Sequence, residues 1–365
     1  MHIQISQKEL LKHINIAQKA ISSRTTVQIL EGILFVAKDN QLKLISTDLE
    51  LSIETIADCV VEEEGEIVIH SNIIGNIVRK LPNSMVDIKI KNEKINIKCE
   101  NSEFNLMGQD ALDYPQLPEK NGEAEITLDA ETMKQAIRQT VFAASLDETR
   151  PALTGVFFRL EDSLLDFVAL DGFRISLRKI KNETSATVNE IIPARALQEL
   201  QKIIIEDNIR IQFVPGNVIF YLDSTIVYSR LLEGKFINYK DIMETDPTTK
   251  LVINRVDFQN SLERASLLAR EEKANLVKLN IEDQTLYISS NSDIGSVNES
   301  IQCKQEGDDL EIAFNAKYLL EGLKAMESEE CELLMTGSLN PCIFHPVSED
   351  EDYTYLVLPV RLARD

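Results

Sequence analysis

The sequence predicts an α+β protein built from three tandem copies of one module, each with two helices and antiparallel sheets. Three observations predict this fold class. A pattern of a short strand, an amphipathic helix and further strands recurs six times, twice in each copy. In the segments that separate the helices, apolar and polar residues alternate along the chain. The helices also carry a different net charge from the rest of the chain. Since single cores stop growing at roughly 250–300 residues, several domains are expected, and we assign them to residues 1–119, 125–245 and 250–365.

The first copy shows both periods clearly. Apolar residues recur at helical spacing in "ISQKELLKHINIAQKAI", at Leu10, Leu11, Ile14 and Ala17. They alternate with polar residues on both sides of the turn "KNEK", at Val86, Ile88, Ile90, Ile95, Ile97 and Cys99. The first period predicts an amphipathic helix, and the second predicts a hairpin with one buried face.

The other two copies restart the same pattern. "TLDAETMKQAIRQTVFAAS" leads into "GVFFRLEDSLLDFVALDGFRISLRKI", with Met133, Ile137 and Val141 on one helix face, and "VINRVDFQNSLERASLLAR" opens the third copy. Polar segments with prolines, "DYPQLPEKNGEAE" (113–125) and "FINYKDIMETDPTTK" (236–250), precede each restart. These segments are predicted to join the domains.

Charge separates the helices from the remainder. The chain carries a net charge of −22, yet all six predicted helices are positive, summing to +8 and leaving −30 elsewhere. A positive face on an acidic body fits sequence-independent contact with phosphates. Because any one helix commonly carries exposed lysines, the inference depends on all six together. The six windows are residues 7–20, 70–81, 131–144, 193–202, 255–270 and 315–326.

Composition excludes several other classes. No stretch approaches the roughly 18 apolar residues of a membrane span, and the first residues, "MHIQISQKELL", lack a signal-peptide core, so we expect a cytosolic protein. The five cysteines have no CxxC pair and are expected to be apolar fillers rather than disulfides. The four histidines lack zinc-like spacing, so no metal or other cofactor is expected.

Five stretches carry a family resemblance: "ILEGILF", "STDLELSIE", "FNLMGQDALDYPQLP", "ALDGFRIS" and the closing "LVLPVRL". Their order and spacing resemble those of the bacterial DNA polymerase III beta subunits, the sliding clamps. The resemblance implies a non-catalytic processivity factor, in which two chains close head to tail into a ring with sheets outside and helices lining a hole around duplex DNA. The implied partners are a second copy, double-stranded DNA, the polymerase III catalytic subunit, the clamp loader and other proteins with clamp-binding motifs, at the nucleoid.

The resemblance also implies a groove between domains 2 and 3 that binds partner peptides. Its C-terminal wall would be Leu356, Val357, Leu358, Pro359, Val360, Arg361 and Leu362. The facing residues would be Arg150, Leu153, Leu170, Gly172, Phe173, Arg174, Ile175, Ile237 and Ile242. Arg361 or Arg174 would hold a carboxylate or carbonyl at the rim. Leu170, Phe173 and Ile237 depart from the usual family residues, which predicts a more apolar groove.

Two further residue sets follow from the resemblance. Arg24, Arg79 and Arg195 would contact DNA, and Phe104, Leu267 and Leu268 would lie at the dimer interface. Two other functional classes remain open. An enzyme is disfavoured, because His345 with Glu349 or Asp350 has no nucleophile elbow or glycine-rich oxyanion signal. A peptide-binding scaffold that never encloses DNA is the second alternative, and dimerisation would distinguish it from a clamp.

Overall fold

A computed structural model describes residues 1–22, 25–122, 124–184, 186–205, 207–270, 275–348 and 350–361. The first copy contains β1 (His2–Ser6), α1 (Gln7–Ala17), β2 (Gly32–Lys38), β3 (Gln41–Thr47), β4 (Leu51–Asp58), β5 (Val60–Glu63), β6 (Gly65–His70), α2 (Ser71–Lys80), β7 (Met85–Lys91), β8 (Lys94–Cys99) and β9 (Ser102–Met107). The second contains β10 (Ala124–Asp129), α3 (Ala130–Thr140), β11 (Gly155–Glu161), β12 (Leu164–Leu170), β13 (Arg174–Lys181), β14 (Val188–Pro193), α4 (Ala194–Gln201), β15 (Asn208–Val214), β16 (Asn217–Tyr221) and β17 (Thr225–Arg230).

The short helix α5 (Lys240–Met243) follows the second copy. The third copy contains β18 (Thr249–Asn254), α6 (Arg255–Ala269), β19 (Leu276–Glu282), β20 (Thr285–Ser292), β21 (Gly295–Gln302), β22 (Lys304–Gly307), β23 (Leu310–Asn315), α7 (Ala316–Ala325), β24 (Glu330–Met335), β25 (Cys342–Pro346) and β26 (Tyr353–Val357). All six predicted helices are confirmed, whereas α5 lies in a segment that was predicted only as a joint.

Four antiparallel sheets form among the described strands, and two of them combine strands from different copies. The eight-stranded sheet has the order β10-β15-β16-β17-β4-β3-β2-β6, and the nine-stranded sheet the order β14-β11-β12-β13-β26-β25-β24-β18-β22. The two smaller sheets stay within one copy, as β5-β1-β7-β8-β9 and β21-β20-β19-β23. Consequently β17 pairs with β4 and β26 pairs with β13, while β9 and β21 end their sheets.

The chain forms two compact units, which divide inside the central copy. One unit is Met1–Met133 with Arg195–Leu231, and the other is Lys134–Ala194 with Leu232–Asp365. The division falls there because the central copy contributes strands to two sheets: β10 and β15 to β17 lie in the eight-stranded sheet, and β11 to β14 lie in the nine-stranded sheet.

Polar residues start three of the helices. The side chain of Ser6 accepts a hydrogen bond from Glu9 N, and Asn254 accepts one from Asp257 N. Asn315 caps α7 in the same way. Such caps satisfy backbone N–H groups that have no partner inside the helix. The helix boundaries therefore follow from short local signals in the sequence.

Helix α7 packs closely on the C-terminal strand. Leu319, Leu320 and Leu323 share a buried core with Tyr355, which is fully buried. Gly322 faces the same ring: a Cβ at this position would lie 2.2 Å from two carbon atoms of Tyr355. Glycine therefore sets how near α7 can approach β26.

None of the helices within the described ranges is long and apolar enough to cross a lipid bilayer. The five cysteines carry free thiols, and Cys99, Cys331 and Cys342 are buried. Burial raises the pKa of the Cys331 thiol to about 12 and that of the Cys59 thiol to about 11. These thiols therefore remain protonated and unreactive near neutral pH.

Candidate functional site

A buried apolar cluster within the second unit brings together much of the predicted groove. Leu153 comes from the 3-10 turn Pro151–Leu153, Leu170 from β12, Ile175 from β13 and Leu356 from β26. These side chains are nearly inaccessible to solvent, so they would form the floor of the predicted groove. They meet because β13 pairs with β26, which places Ile175 directly opposite Leu356.

The C-terminal strand presents alternate residues to opposite faces. Leu356 joins the floor cluster, whereas Val357 joins the core that α7 covers. Val357 therefore supports the wall from behind instead of lining it. Beyond the strand, Leu358 N donates to Phe173 O at 2.8 Å and Val360 N donates to Ala313 O at 2.8 Å. The last predicted wall residue, Leu362, lies outside the described residues.

Four apolar side chains remain exposed above the floor: Phe173 at 58%, Ile237 at 44%, Ile242 at 42% and Leu358 at 38%. A tight turn holds the first of them. Gly172 has φ of +91°, and the Asp171 carboxylate accepts hydrogen bonds from Phe173 N and Arg174 N. Exposed apolar groups above a preformed apolar floor are typical of a peptide-binding surface.

Arg174 has an internal role that differs from the predicted rim contact. Its guanidinium is buried, donates to Asp171 Oδ2 at 3.0 Å and to Phe142 O at 2.8 Å, and forms an ion pair with Glu321. It also lies 4.5 Å from the ring centre of Tyr318. The donors of Arg174 are thus occupied, whereas Arg150 and Arg361, the other two arginines of the predicted groove, are exposed.

A buried polar contact holds the segment that carries Ile237 and Ile242. The Tyr239 hydroxyl donates to the buried carboxylate of Asp166, which also lies 3.5 Å from Arg159 Nη1. Burial, followed by the neighbouring Asp166 carboxylate, raises the pKa of Tyr239. The hydroxyl therefore stays protonated and keeps this segment attached to the sheet.

Sequence reasoning missed several residues of this region. Phe236 and Tyr239 belong to the floor cluster, and the ring of Tyr318 stacks beside Phe173 at 6.1 Å between centres. Two aromatic residues within "EGKFINYKDI", a segment predicted as a joint between domains, were a usable signal, because a solvated linker does not need them. Tyr318 gave no such signal, since an aromatic residue on a helix is ordinarily part of a core.

The helix cations of the first unit differ in their partners. Arg79 is exposed on α2 and donates to two amides, Asn76 Oδ1 at 3.1 Å and Asn15 Oδ1 at 3.4 Å. Among the described residues, no acidic side chain pairs with Lys8, Lys12 or Lys80. The exposed surface of α1 and α2 therefore carries positive charge that no acidic side chain of the described ranges neutralises.

Other helix cations are neutralised within their own unit. Arg195 forms an ion pair with Asp48, and Lys202 pairs with Glu199 at 2.9 Å. In the second unit, Arg138 pairs with Glu327 and Lys324 with Glu263. The predicted DNA-contact residue Arg24 lies outside the described residues. Net helix charge thus overstates the charge available to an anion.

The three predicted interface residues lie at or near sheet edges. Phe104 is half-buried on β9, the last strand of its sheet. Leu267 is 64% exposed on α6, and Leu268 is half-buried, with its Cδ1 4.0 Å from the position a Cβ on Gly295 would take. Since Gly295 begins the edge strand β21, Leu268 lies beside that edge.

Comparison with known families covers nearly the whole chain. Residues 1–118 match the N-terminal domain of the DNA polymerase III beta subunit, residues 127–238 its central domain and residues 240–361 its C-terminal domain.

Individual relatives match over their full length. The beta sliding clamp of Bacillus subtilis strain 168 is 37% identical, over 99% of this chain and 100% of its own. That of Staphylococcus aureus strain N315 is 37% identical, over 99% of both chains. The crystal structure of the Bacillus subtilis DNA polymerase sliding clamp superposes with a TM-score of 0.96 at 36% identity, covering 100% of both chains. A DNA polymerase III beta subunit structure from Eubacterium rectale gives 0.94 at 35% identity, covering 99% of this chain and 100% of the other.

Proposed function

Since the chain belongs to the DNA polymerase III beta subunit family and is a non-catalytic DNA sliding clamp of the three-domain clamp fold, we propose that two copies close head to tail into a ring around duplex DNA. The groove then holds the polymerase catalytic subunit, the clamp loader and other partner proteins of the nucleoid. The full-length match to sliding clamps carries this conclusion and does not favour a scaffold that acts away from DNA.

The two intrachain junctions support ring closure, because they follow one geometric rule. In each, the last strand of one copy pairs antiparallel with the fourth strand of the copy before it. Arg230 N donates to Glu50 O at 2.9 Å in the first junction, and Leu358 N donates to Phe173 O at 2.8 Å in the second. The same residue offset thus recurs twice within one chain.

A third junction by the same rule would join β9 of one chain to β21 of a second chain. Both strands end their sheets and leave backbone groups unpaired along one side, an arrangement that favours strand addition. The shared offset would place Met107 of one chain opposite Ile294 of the other chain, and hence Phe104 opposite Val297. Two such contacts in a head-to-tail pair of chains would close a ring in which neither β9 nor β21 is left unpaired.

Burial at equivalent positions supports this pairing. The intrachain equivalents of the Phe104–Val297 pair are Val227 with Ile53 and Tyr355 with Ser176, and all four side chains are fully buried. Phe104 and Val297 are only half-buried, although each packs against its own core. Pairing of the two edges would bury them as their equivalents are buried.

Retention on DNA of different topology tests the proposed ring. Cross-linked closed rings should remain on circular duplex DNA at high salt and slide off the ends of the linearised form. Enclosure does not depend on ion pairs with phosphates, whereas ordinary binding weakens steeply with salt. Gel filtration of the DNA-bound fraction measures retention. Equal loss of the protein from circular and linear DNA would contradict enclosure.

Contact with DNA is proposed to depend more on Arg79 than on Arg195, because Asp48 already neutralises Arg195. Arg79→Gln should reduce the slope of log affinity against log salt by about one, measured by fluorescence anisotropy on linear duplex. Arg210→Gln, which removes a charge from strand β15, is the matched control and should change little. A larger effect of Arg195→Gln than of Arg79→Gln would refute this ranking.

An extended partner peptide with large apolar side chains is the proposed ligand of the groove, since each anchor buried here contributes about 1.5–3 kcal/mol. Ile242→Asp should therefore weaken binding of a fluorescent peptide with two leucine anchors by about tenfold or more, because 1.4 kcal/mol corresponds to a factor of ten. Ile205→Asp alters another exposed isoleucine and should leave the affinity unchanged. If both variants bind equally well, the peptide lies elsewhere.

A further inference from the structure

A second cavity, separate from the exposed groove residues, lies in the same unit. Its volume is about 400 Å³, which is within the range of small-molecule sites. The floor is one face of the nine-stranded sheet, where Asp166, Lys179 and Thr354 project from neighbouring strands, and α5 with its flanks forms one wall. The cavity shares Leu177, Tyr239 and Met243 with the apolar cluster under the groove.

Most of the buried charge on this floor is already paired. Arg159 forms ion pairs with Glu161 and Asp166, and the Tyr239 hydroxyl donates to Asp166. Both contacts of Asp166 use its Oδ2 atom, and residue 166 lies directly opposite Lys179 in the pairing of β12 with β13. The negative charge of Asp166 is thus balanced by Arg159, which makes the floor a poor site for a cationic ligand.

Lys179 is the exception among these charges. It is half-buried, and no acidic side chain in the described part of the chain forms an ion pair with it. A partly desolvated ammonium group gains more from an anionic partner than a fully exposed one does. The ammonium group of Lys179 on the floor can therefore pair with one negative charge of a ligand.

Neutral polar groups lie beside this ammonium. His345 Nδ1 is 3.3 Å from Thr354 Oγ1, so the two side chains are hydrogen-bonded. Burial, reinforced more weakly by Lys179, lowers the pKa of His345 despite the opposing charges of Glu332 and Asp352. The imidazole is therefore neutral near pH 7, and Thr354 supplies a hydroxyl next to the lysine.

The remaining lining limits the ligand to a small size and a single charge. Leu177 and Met243 offer an apolar wall, which suits a short hydrocarbon or aromatic body. At the rim, the exposed carboxylates of Asp162 and Glu244 outnumber the exposed ammonium of Lys240, so ligands with several negative charges are disfavoured. We propose that this cavity binds a small organic monocarboxylate, with its carboxylate on Lys179 and Thr354 and its apolar body on Leu177 and Met243.

Isothermal titration with 4-phenylbutyrate and with its uncharged amide tests the proposal on the full chain. The carboxylate should bind unaltered protein at least tenfold more tightly than the amide, because only the carboxylate pairs with Lys179. Lys179→Gln should remove this difference, while Lys181→Gln, the same charge change at an exposed position of the same strand, should preserve it.

The comparison of the two probes on unaltered protein does not depend on whether a variant folds. Thermal melts of both variants establish that any loss of binding is local. Equal affinity for acid and amide, no measurable binding of the acid, or full binding by Lys179→Gln would each overturn the proposed site.

Discussion

Leu267→Asp combined with Leu268→Asp is expected to convert the protein into monomers that are no longer retained on circular DNA. Leu268 lies beside the edge strand β21 and Leu267 is the exposed residue before it on α6, so the proposed junction would bury both. Two carboxylates within that contact would have to be desolvated without a partner, at a cost of several kcal/mol each. Light scattering measures the oligomeric state, and salt-resistant retention on circular plasmid measures enclosure.

A control must separate the interface from a general effect of surface carboxylates. Leu112 and Leu146 are also exposed leucines, at 85% and 97%, and neither lies on β9, α6 or β21. The matched pair Leu112→Asp and Leu146→Asp should remain dimeric and retained. Dimers in the Leu267 and Leu268 variant, with unchanged circular dichroism, would place the interface elsewhere.

Gly322→Ala should destabilise the fold by about 3 kcal/mol, the upper end of the usual cost of overpacking a core. The added methyl group would lie 2.2 Å from Cδ1 and Cε1 of Tyr355, which is itself fully buried in the C-terminal strand. Neither α7 nor the ring can move without disturbing the surrounding core. Equilibrium unfolding in urea measures the free energy of unfolding.

Gly75→Ala is the matched control, because it alters another helical glycine. The added Cβ would meet only the amide end of the Gln18 side chain, at 2.5 Å from Nε2. That flexible group can turn away, and alanine favours the helix by about 1 kcal/mol over glycine, so the net change should be small. Comparable destabilisation by both substitutions would refute the assigned role of Tyr355.

The elements of the fold were predictable because local patterns specify them. Helices α1 and α3 carry a 3.6-residue apolar period, and β7 and β8 alternate as predicted. Helix α5 escaped prediction because only four residues form it, too few to show a period. The sheets shared between copies also escaped, since pairing of β17 with β4 depends on residues about 170 positions apart.

The candidate site was predicted less well than the fold, for physical reasons. The family resemblance assigned Val357 to the groove wall. Because successive side chains of a strand point to opposite faces, Val357 instead packs in the core that α7 covers, on the opposite face from Leu356. Arg174 was expected at the rim, whereas Asp171 and Glu321 hold it inside. Charge totals cannot reveal such internal ion pairs, and the pairing of Arg195 with Asp48 is a further example.

Sharing a sheet between neighbouring copies has a mechanical consequence. Within one chain, each junction between copies is held by backbone hydrogen bonds and is also crossed by the covalent chain. Separating two copies would therefore break a continuous sheet. The junction proposed between chains would have backbone hydrogen bonds but no covalent connection. A force that strains the proposed ring would therefore separate the two chains at that junction, while the sheets that join neighbouring copies within each chain stay intact.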